Sequence, residues 1–249
     1  AAERDNCIDD RKAGGVMAEP RKEVLSDGVE IWLGDCREVL PMLGCVDAVV
    51  TDPPYGIGEA RQRRILSRGK AASPRDYGDA KWDAAPPPKE LIETLLASAP
   101  WQIIFGGNYF HLPPSPCWLV WDKMNGENDF ADCELAWTNL PKAVRRIRWL
   151  WHGMLRAEKG AREHPTQKPR EVMKWCIEHL PVDARSILDP FMGSGTTGVA
   201  CIQLDRRFIG VELDPRYFDI ARRRLEAELA KPRLPFDEAA PQPTQEALL

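Results

Sequence analysis

From Val29 onward, short and nearly continuous apolar runs alternate with longer stretches whose apolar residues return every three or four positions. The runs at 30–33, 48–51, 102–105, 117–121, 186–188 and 208–211 predict strands. Their apolar residues are mostly successive, which suits strands covered on both faces, as in a parallel sheet. Helices are predicted at 89–99, 169–179, 196–204 and 216–230, the last with Tyr217, Ile220, Ala221, Leu225 and Leu229 near one face. Strands and helices in alternation make this an α/β pattern. Residues 1–22 mix charges with Gly14-Gly15, show no apolar period, and are expected to form a flexible leader in which Met17 is a candidate natural start. Residues 231–249 carry several prolines and few large apolar side chains before Leu248-Leu249, and are expected to form a flexible tail. One domain over 23–230 is left.

Composition narrows the class. At 249 residues, 43% hydrophobic and 29% charged, the chain is large enough to bury a core without staples. Its seven cysteines are odd in number and scattered, with no Cys-x-x-Cys pair, and read as reduced thiols; its four histidines have no metal-binding spacing, and no metal is expected. No stretch approaches the roughly 20 apolar residues of a membrane helix, and the first 20 residues hold no apolar signal core, so a cytoplasmic protein with no membrane contact is expected.

The net charge of -4 hides a segregation. Residues 59–81 carry seven basic side chains, including Arg61, Arg63 and Arg64, against three acidic ones. Residues 142–159 carry six, among them Arg145, Arg146, Arg148 and Arg156, against Glu158 alone, with Trp149 and Trp151 interleaved. A solvated face is the ordinary explanation of one such run. Two of them point to a polyanion, because Lys and Arg that neutralise phosphates release counterions and so supply sequence-independent affinity for nucleic acid.

Two motifs carry chemistry. Asp52-Pro53-Pro54-Tyr55 follows the apolar run 48–51, and ligands of open α/β sheets bind beyond the carboxyl ends of the strands. The two prolines fix φ and remove two donors, leaving a rigid set of acceptors beside an aromatic ring. Such a set suits an exocyclic amino group on a heteroaromatic base: the Asp52 carboxylate and Pro53 carbonyl each accept an N–H while Tyr55 stacks on the ring. An ordinary strand-to-turn exit is the plainer alternative. The second motif, Asp189-Pro190-Phe191-Met192-Gly193-Ser194-Gly195-Thr196-Thr197, follows the run 186–188 and opens a helix, where glycines allow close backbone approach and free N–H groups face a ligand. Glu212 ends the next strand 19 positions after Gly193, near the spacing at which a carboxylate binds ribose hydroxyls. The loop lacks the Gly-Lys-Ser/Thr ending of a P-loop and the Gly-x-Gly-x-x-Gly of dinucleotide binders. Together with Glu212 and Asp52 it favours an adenosyl cofactor without phosphates, S-adenosylmethionine, whose methyl is the electrophile an amino group requires.

These residues resemble the β-class of DNA amino-methyltransferases, in which the DPPY element precedes the F-x-G-x-G loop. Gly34-Asp35-Cys36, Gly106-Gly107-Asn108 and His164-Pro165-Thr166-Gln167-Lys168-Pro169 extend the similarity, which runs over about 29–229. The resemblance implies a doubly wound, mostly parallel seven-stranded sheet, a circularly permuted version of the Rossmann-like methyltransferase fold. It implies that Asp35 and Cys36 lie near the cofactor adenine and that Glu212 binds its ribose. Asp189, Phe191, Gly193, Ser194, Gly195, Thr196 and Thr197, with Lys168, would surround its methionine part, and Asp52, Pro53, Pro54 and Tyr55 would hold the target base. A small target-recognition region is expected at about 137–163, assisted by the basic insert at 59–81, so that Arg61, Arg63, Arg64, Arg145, Arg146, Arg148 and Arg156 meet double-stranded DNA. The implied activity is site-specific transfer of methyl to adenine N6 in DNA by base flipping, in a bacterial or phage-encoded enzyme of restriction-modification type acting at the nucleoid.

Cytosine N4 methylation shares this chemistry and is the alternative, although that group more often resembles S-P-P-Y. A catalytically inactive DNA-binding relative is a second. Cytosine C5 methylation needs a cysteine nucleophile, and Pro116-Cys117 is present, but that class places its glycine loop first; Cys117 is expected to be a core thiol. The terminal Gln245-Glu246-Ala247-Leu248-Leu249 is similar to peptides that dock on the replicative sliding clamp, with a random polar tail as the alternative. The sequence leaves a homodimer open.

Overall fold

The computed structural model describes residues 19–57, 85–125, 131–152, 155–156 and 167–232. Its strands are β1 (Arg21–Ser26), β2 (Val29–Leu33), β3 (Ala48–Thr51), β4 (Trp101–Phe105), β5 (Trp118–Asp122), β6 (Cys133–Thr138), β7 (Arg145–Arg148), β8 (Trp151–His152), β9 (Leu155–Arg156), β10 (Ser186–Asp189) and β11 (Arg207–Glu212). Its α-helices are α1 (Cys36–Val39), α2 (Lys89–Ala97), α3 (Arg170–Glu178), α4 (Thr196–Gln203) and α5 (Pro215–Leu229). Every predicted strand and helix is present with ends within two residues of expectation. The basic insert with Arg61, Arg63 and Arg64, the tail with its clamp-like peptide, and most of the leader lie outside the described residues.

One sheet holds nine strands in the order β1-β2-β11-β10-β3-β4-β6-β5-β7, and β8 pairs β9 in a separate small ladder. The inner seven are the expected sheet, and β1 and β7 extend its two edges. Five neighbours, β2, β11, β10, β3 and β4, run parallel, while β6 is antiparallel to both β4 and β5. Arg21 and Lys22, expected in the flexible leader, belong to β1: Arg21 pairs with Leu33 of β2, and the Lys22 ammonium sits 2.6 Å from Glu30. Backbone pairing holds this polar segment where apolar periodicity gave no sign of it.

Both faces of the sheet are covered. Ala48 and Val50 of β3, Ile187 of β10 and Phe208 of β11 enter a core with α3, α4 and α5; Val49, Leu188 and Val211 enter a second core with α1 and α2. Period-two alternation between two apolar layers leaves all four residues of β3 buried, which explains its continuous apolar run. From β10 the chain crosses through α4 to β11 on one side, and from β3 it crosses through α2 to β4 on the other. The order therefore reverses between β10 and β3, and the carboxyl ends of these adjacent strands open a crevice at that switch point.

Candidate active site

Asp52 and Pro190 are the first residues beyond β3 and β10, so both sequence motifs emerge at the switch point. A cavity of about 720 Å³ lies there, lined by Asp35, Cys36, Asp52, Pro54, Lys168, Asp189, Phe191, Gly193, Ser194, Thr196, Thr197 and Glu212 among others. Pro53, Tyr55 and Gly195 adjoin it without lining it. Pro86, Pro88 and Leu91 at the start of α2 close one side, a contribution that sequence reasoning missed.

The cofactor-loop half is built by carboxylates that hold backbone. Asp189 accepts from Thr51 Oγ1 at 2.7 Å, Thr197 Oγ1 at 2.6 Å and the Phe191 amide at 3.1 Å, which ties the glycine loop to β3. Burial pushes its carboxyl up to about 6 in spite of these donors. Gly195 has φ +76 where the chain turns into α4, and a Cβ there would come within 3.0 Å of Ala221 on α5. Arg224 of α5 reaches under the loop to the Ser194 hydroxyl at 2.8 Å. Glu212 accepts from the Gly193 amide and the Asp214 amide, each at 2.8 Å, and burial raises its carboxyl to about 7. Asp35 caps α1 by accepting from the Arg37 amide at 2.9 Å, and its side-chain bonds to the Arg37 guanidinium hold it below the usual carboxylate range. Cys36 is a buried thiol pushed up to about 12 by desolvation, hence neutral.

The DPPY half is an ion-pair cluster. The Lys168 ammonium lies 2.5 Å from Asp52 Oδ2, and the Tyr55 hydroxyl donates to Asp52 Oδ1 at 2.5 Å. Tyr55 stacks on Tyr109 with centroids 4.9 Å apart and 13° between planes. Lys168 also sits 3.0 Å from Glu134 Oε2, and Lys123 holds Glu134 Oε1 at 2.6 Å. Burial pushes Asp52 above the ordinary carboxylate value, with Lys168 pulling the other way and Glu134 adding to the rise. Burial acts in the same sense on Glu134, yet the Lys168 and Lys123 ammoniums outweigh it and hold that carboxyl down at about 2. Lys168, expected beside the cofactor's methionine part, lines the cavity but is bonded to Asp52. Lys123, Glu134 and Tyr109 were not foreseen; a charged residue inside Cys-Glu-Leu-Ala-Trp-Thr was the available signal for Glu134.

Arg145, Arg146 and Arg148 are exposed on edge strand β7, four strand spacings from β3, or roughly 20 Å. Arg146 and Arg148 share Asp122 at 3.9 and 3.4 Å, so one carboxylate faces two guanidiniums. Arg156 lies in β9. Trp137 and Thr138, where the target-recognition region was expected to begin, are buried in β6. Cys117 is fully buried in the core, off the cavity, with its Sγ 3.5 Å from the Ala143 carbonyl, as expected of a packing thiol.

Residues 118–223 match the N6/N4 family of DNA methylases. The chain is 46% identical over 86 residues to the type II methyltransferase M2.DpnII of Streptococcus pneumoniae, covering 34% of this chain and 32% of the relative. It is 30% identical over 139 residues to M2.MboI of Moraxella bovis, covering 56% of this chain and 45% of the relative. The chain thus spans less than half the length of these curated relatives. The crystal structure of an M1.HpyAVI–SAM complex superposes with TM-score 0.50 at 25% identity, covering 79% of this chain and 98% of that one. Residues 118–223 are thus similar to the N6/N4 DNA methylases, and the fold is shared with the M1.HpyAVI–SAM complex.

Proposed function

We propose that this chain transfers a methyl group from S-adenosylmethionine to the N6 amino group of adenine in double-stranded DNA, the target base being turned out of the helix into the crevice. The observation that carries the reading is the shared cavity: Asp52, which can accept an amino N–H, opens onto the same space as the glycine loop and Glu212. The lining chemistry suits this cofactor. The two lining cations, Arg37 and Lys168, are ion-paired to Asp35 and Asp52, so neither is left over for a phosphate, while Glu212 and Asp189 add acidic groups that suit a cationic ligand. Glu212 would hold the ribose, Asp35 and Cys36 the adenine side, and the loop from Phe191 to Thr197 the remainder. When bound, the cofactor supplies an electrophilic methyl on a sulfonium.

The chain's own residues do the positioning. Asp52 accepts an N–H of the target amino group, turns the nitrogen lone pair away from the ring, and stabilises the positive charge that develops as the nitrogen gains carbon. The Pro53 carbonyl is the second acceptor. Tyr55 fixes the Asp52 carboxylate through its hydroxyl. Because Tyr109 covers one face of Tyr55, a stacked base uses the other face or displaces Tyr109, which is half exposed. Extrusion of the base costs a few kcal/mol, offset in part by this stacking.

The test is incorporation of label from methyl-labelled S-adenosylmethionine into unmodified genomic DNA. Incorporation supports the reading; its absence, with cofactor bound, counts against it. Two further results are expected. Glu212 accepts two ribose hydroxyls best as a carboxylate, and its carboxyl sits at about 7, so cofactor affinity should fall by up to about tenfold per pH unit below that value. Titration calorimetry from pH 8 down to pH 6 checks this, and Glu212→Gln should bind more weakly with little pH dependence. Replacing Arg146 and Arg148 with Gln should weaken DNA binding and lower the slope of log affinity against log salt by about one per lost phosphate contact. An unchanged slope would put the DNA surface elsewhere.

A further inference from the structure

Asp52 is engaged before any substrate arrives. One oxygen accepts from Tyr55 and the other from Lys168, so the amino group of a base must share or take over a position that the ammonium holds. The ammonium is buried, with 7% of its side chain exposed, and cannot retreat into water. A buried ammonium that loses its only anion is strongly destabilised. Glu134 removes that difficulty. Its Oε2 is buried and already lies 3.0 Å from Lys168 Nζ, so the ammonium stands between two carboxylates. Its other oxygen is fixed by Lys123, and its backbone is fixed by the pairing of Glu134 with Trp121 across β5 and β6. A rigid anion already in salt-bridge contact with the ammonium therefore stands ready to take a larger share of it. The rings of Phe105 and Tyr55, 5.2 and 5.6 Å from Nζ, complete its surroundings and are tolerant of a small displacement.

We infer that Glu134 is a positioning residue of the methyl transfer: it receives the Lys168 ammonium when the substrate amino group takes its place at Asp52, so that the carboxylate is released for the substrate without stranding a charge. The inference rests on the proposed activity. Two carboxylates and two ammoniums, from the ends of β3 and β5, from β6 and from the start of α3, make the cluster neutral as a whole. The Tyr55 hydroxyl bonded to Asp52, Asp189 on β10 and the Cys176 thiol on α3 are further titratable groups that feel it.

The experiment compares unsubstituted protein, Glu134→Gln and Lys123→Gln in single-turnover methyl transfer across pH, with cofactor affinity measured alongside. Glu134→Gln keeps the shape but leaves Lys168 committed to Asp52; its transfer rate is expected to fall about tenfold or more while cofactor affinity stays within about twofold. Removing the Glu134 charge moves the acidic limb of its rate profile to lower pH, because that charge favours protonation of Asp52. Lys123→Gln has the opposite sign: with its far partner gone Glu134 draws on Lys168, and the acidic limb moves to higher pH. Opposed shifts are not expected from loosened packing, and either variant alone shows one of them if the other fails to fold. Equal rates and unshifted limbs in the variants overturn the inference, as does parallel loss of cofactor binding and transfer. Absence of transfer by the unsubstituted protein counts instead against the activity on which the inference rests.

Discussion

Asp52→Asn is expected to lower the rate of methyl transfer by about three orders of magnitude or more while changing cofactor affinity by less than about threefold. The substitution conserves shape, so the cavity wall stays intact. What changes is polarity at the reacting nitrogen. A carboxylate accepts and carries negative charge, whereas an amide turned the wrong way presents a donor to a donor, and turned the right way it lacks the charge. The fold should tolerate the change, because Lys168 keeps Glu134 as a partner at 3.0 Å. Single-turnover transfer and calorimetric cofactor titration on the same preparation separate the two effects. Parallel loss of both would contradict the role assigned to Asp52.

Gly106→Ala should have the next largest effect on activity although Gly106 lies off the cavity lining. Gly106 follows β4 at φ +68, where an alanine is strained by about 1–2 kcal/mol. Its Cβ would also fall 2.1 Å from Tyr55 Cε1 and 2.7 Å from Cζ. The ring must move, and with it go the bond from the Tyr55 hydroxyl to Asp52 and the stack on Tyr109. Transfer measured as kcat/KM is expected to drop about a hundredfold, with cofactor affinity preserved and the melting temperature lowered by about 2–8 °C. Wild-type kcat/KM in a folded Gly106→Ala protein would show that the position of Tyr55 is immaterial to catalysis.

How legible each part was in the sequence follows from where its determinants lie. Strands β3, β10 and β11 were legible because two helical layers force apolar residues onto both faces, as at Val49 and Val50, which enter different cores. Strand β7 was not: of Arg145, Arg146, Ile147 and Arg148 only Ile147 packs on the core, so an edge strand looked like a basic patch. Strand β6 hid behind Glu134 and the polar residues before it, since pairing on both sides by β4 and β5 sets its place. The glycine loop and the DPPY element were legible because each is contiguous and its chemistry is local. The cluster around Asp52 was not, because Lys123, Glu134 and Lys168 come together only through strand pairing and the return of the chain at α3. Lys168 was assigned from its neighbours in sequence to the cofactor side, whereas its bonded partner is 116 positions earlier.

The most direct measurement is the identity of the methylated nucleoside. DNA incubated with the protein and methyl-labelled S-adenosylmethionine is hydrolysed and its nucleosides are separated by mass. The account predicts label in N6-methyldeoxyadenosine, lost with Asp52→Asn. Label in N4-methyldeoxycytidine or 5-methyldeoxycytidine, or in any product whose formation survives that substitution, would contradict it.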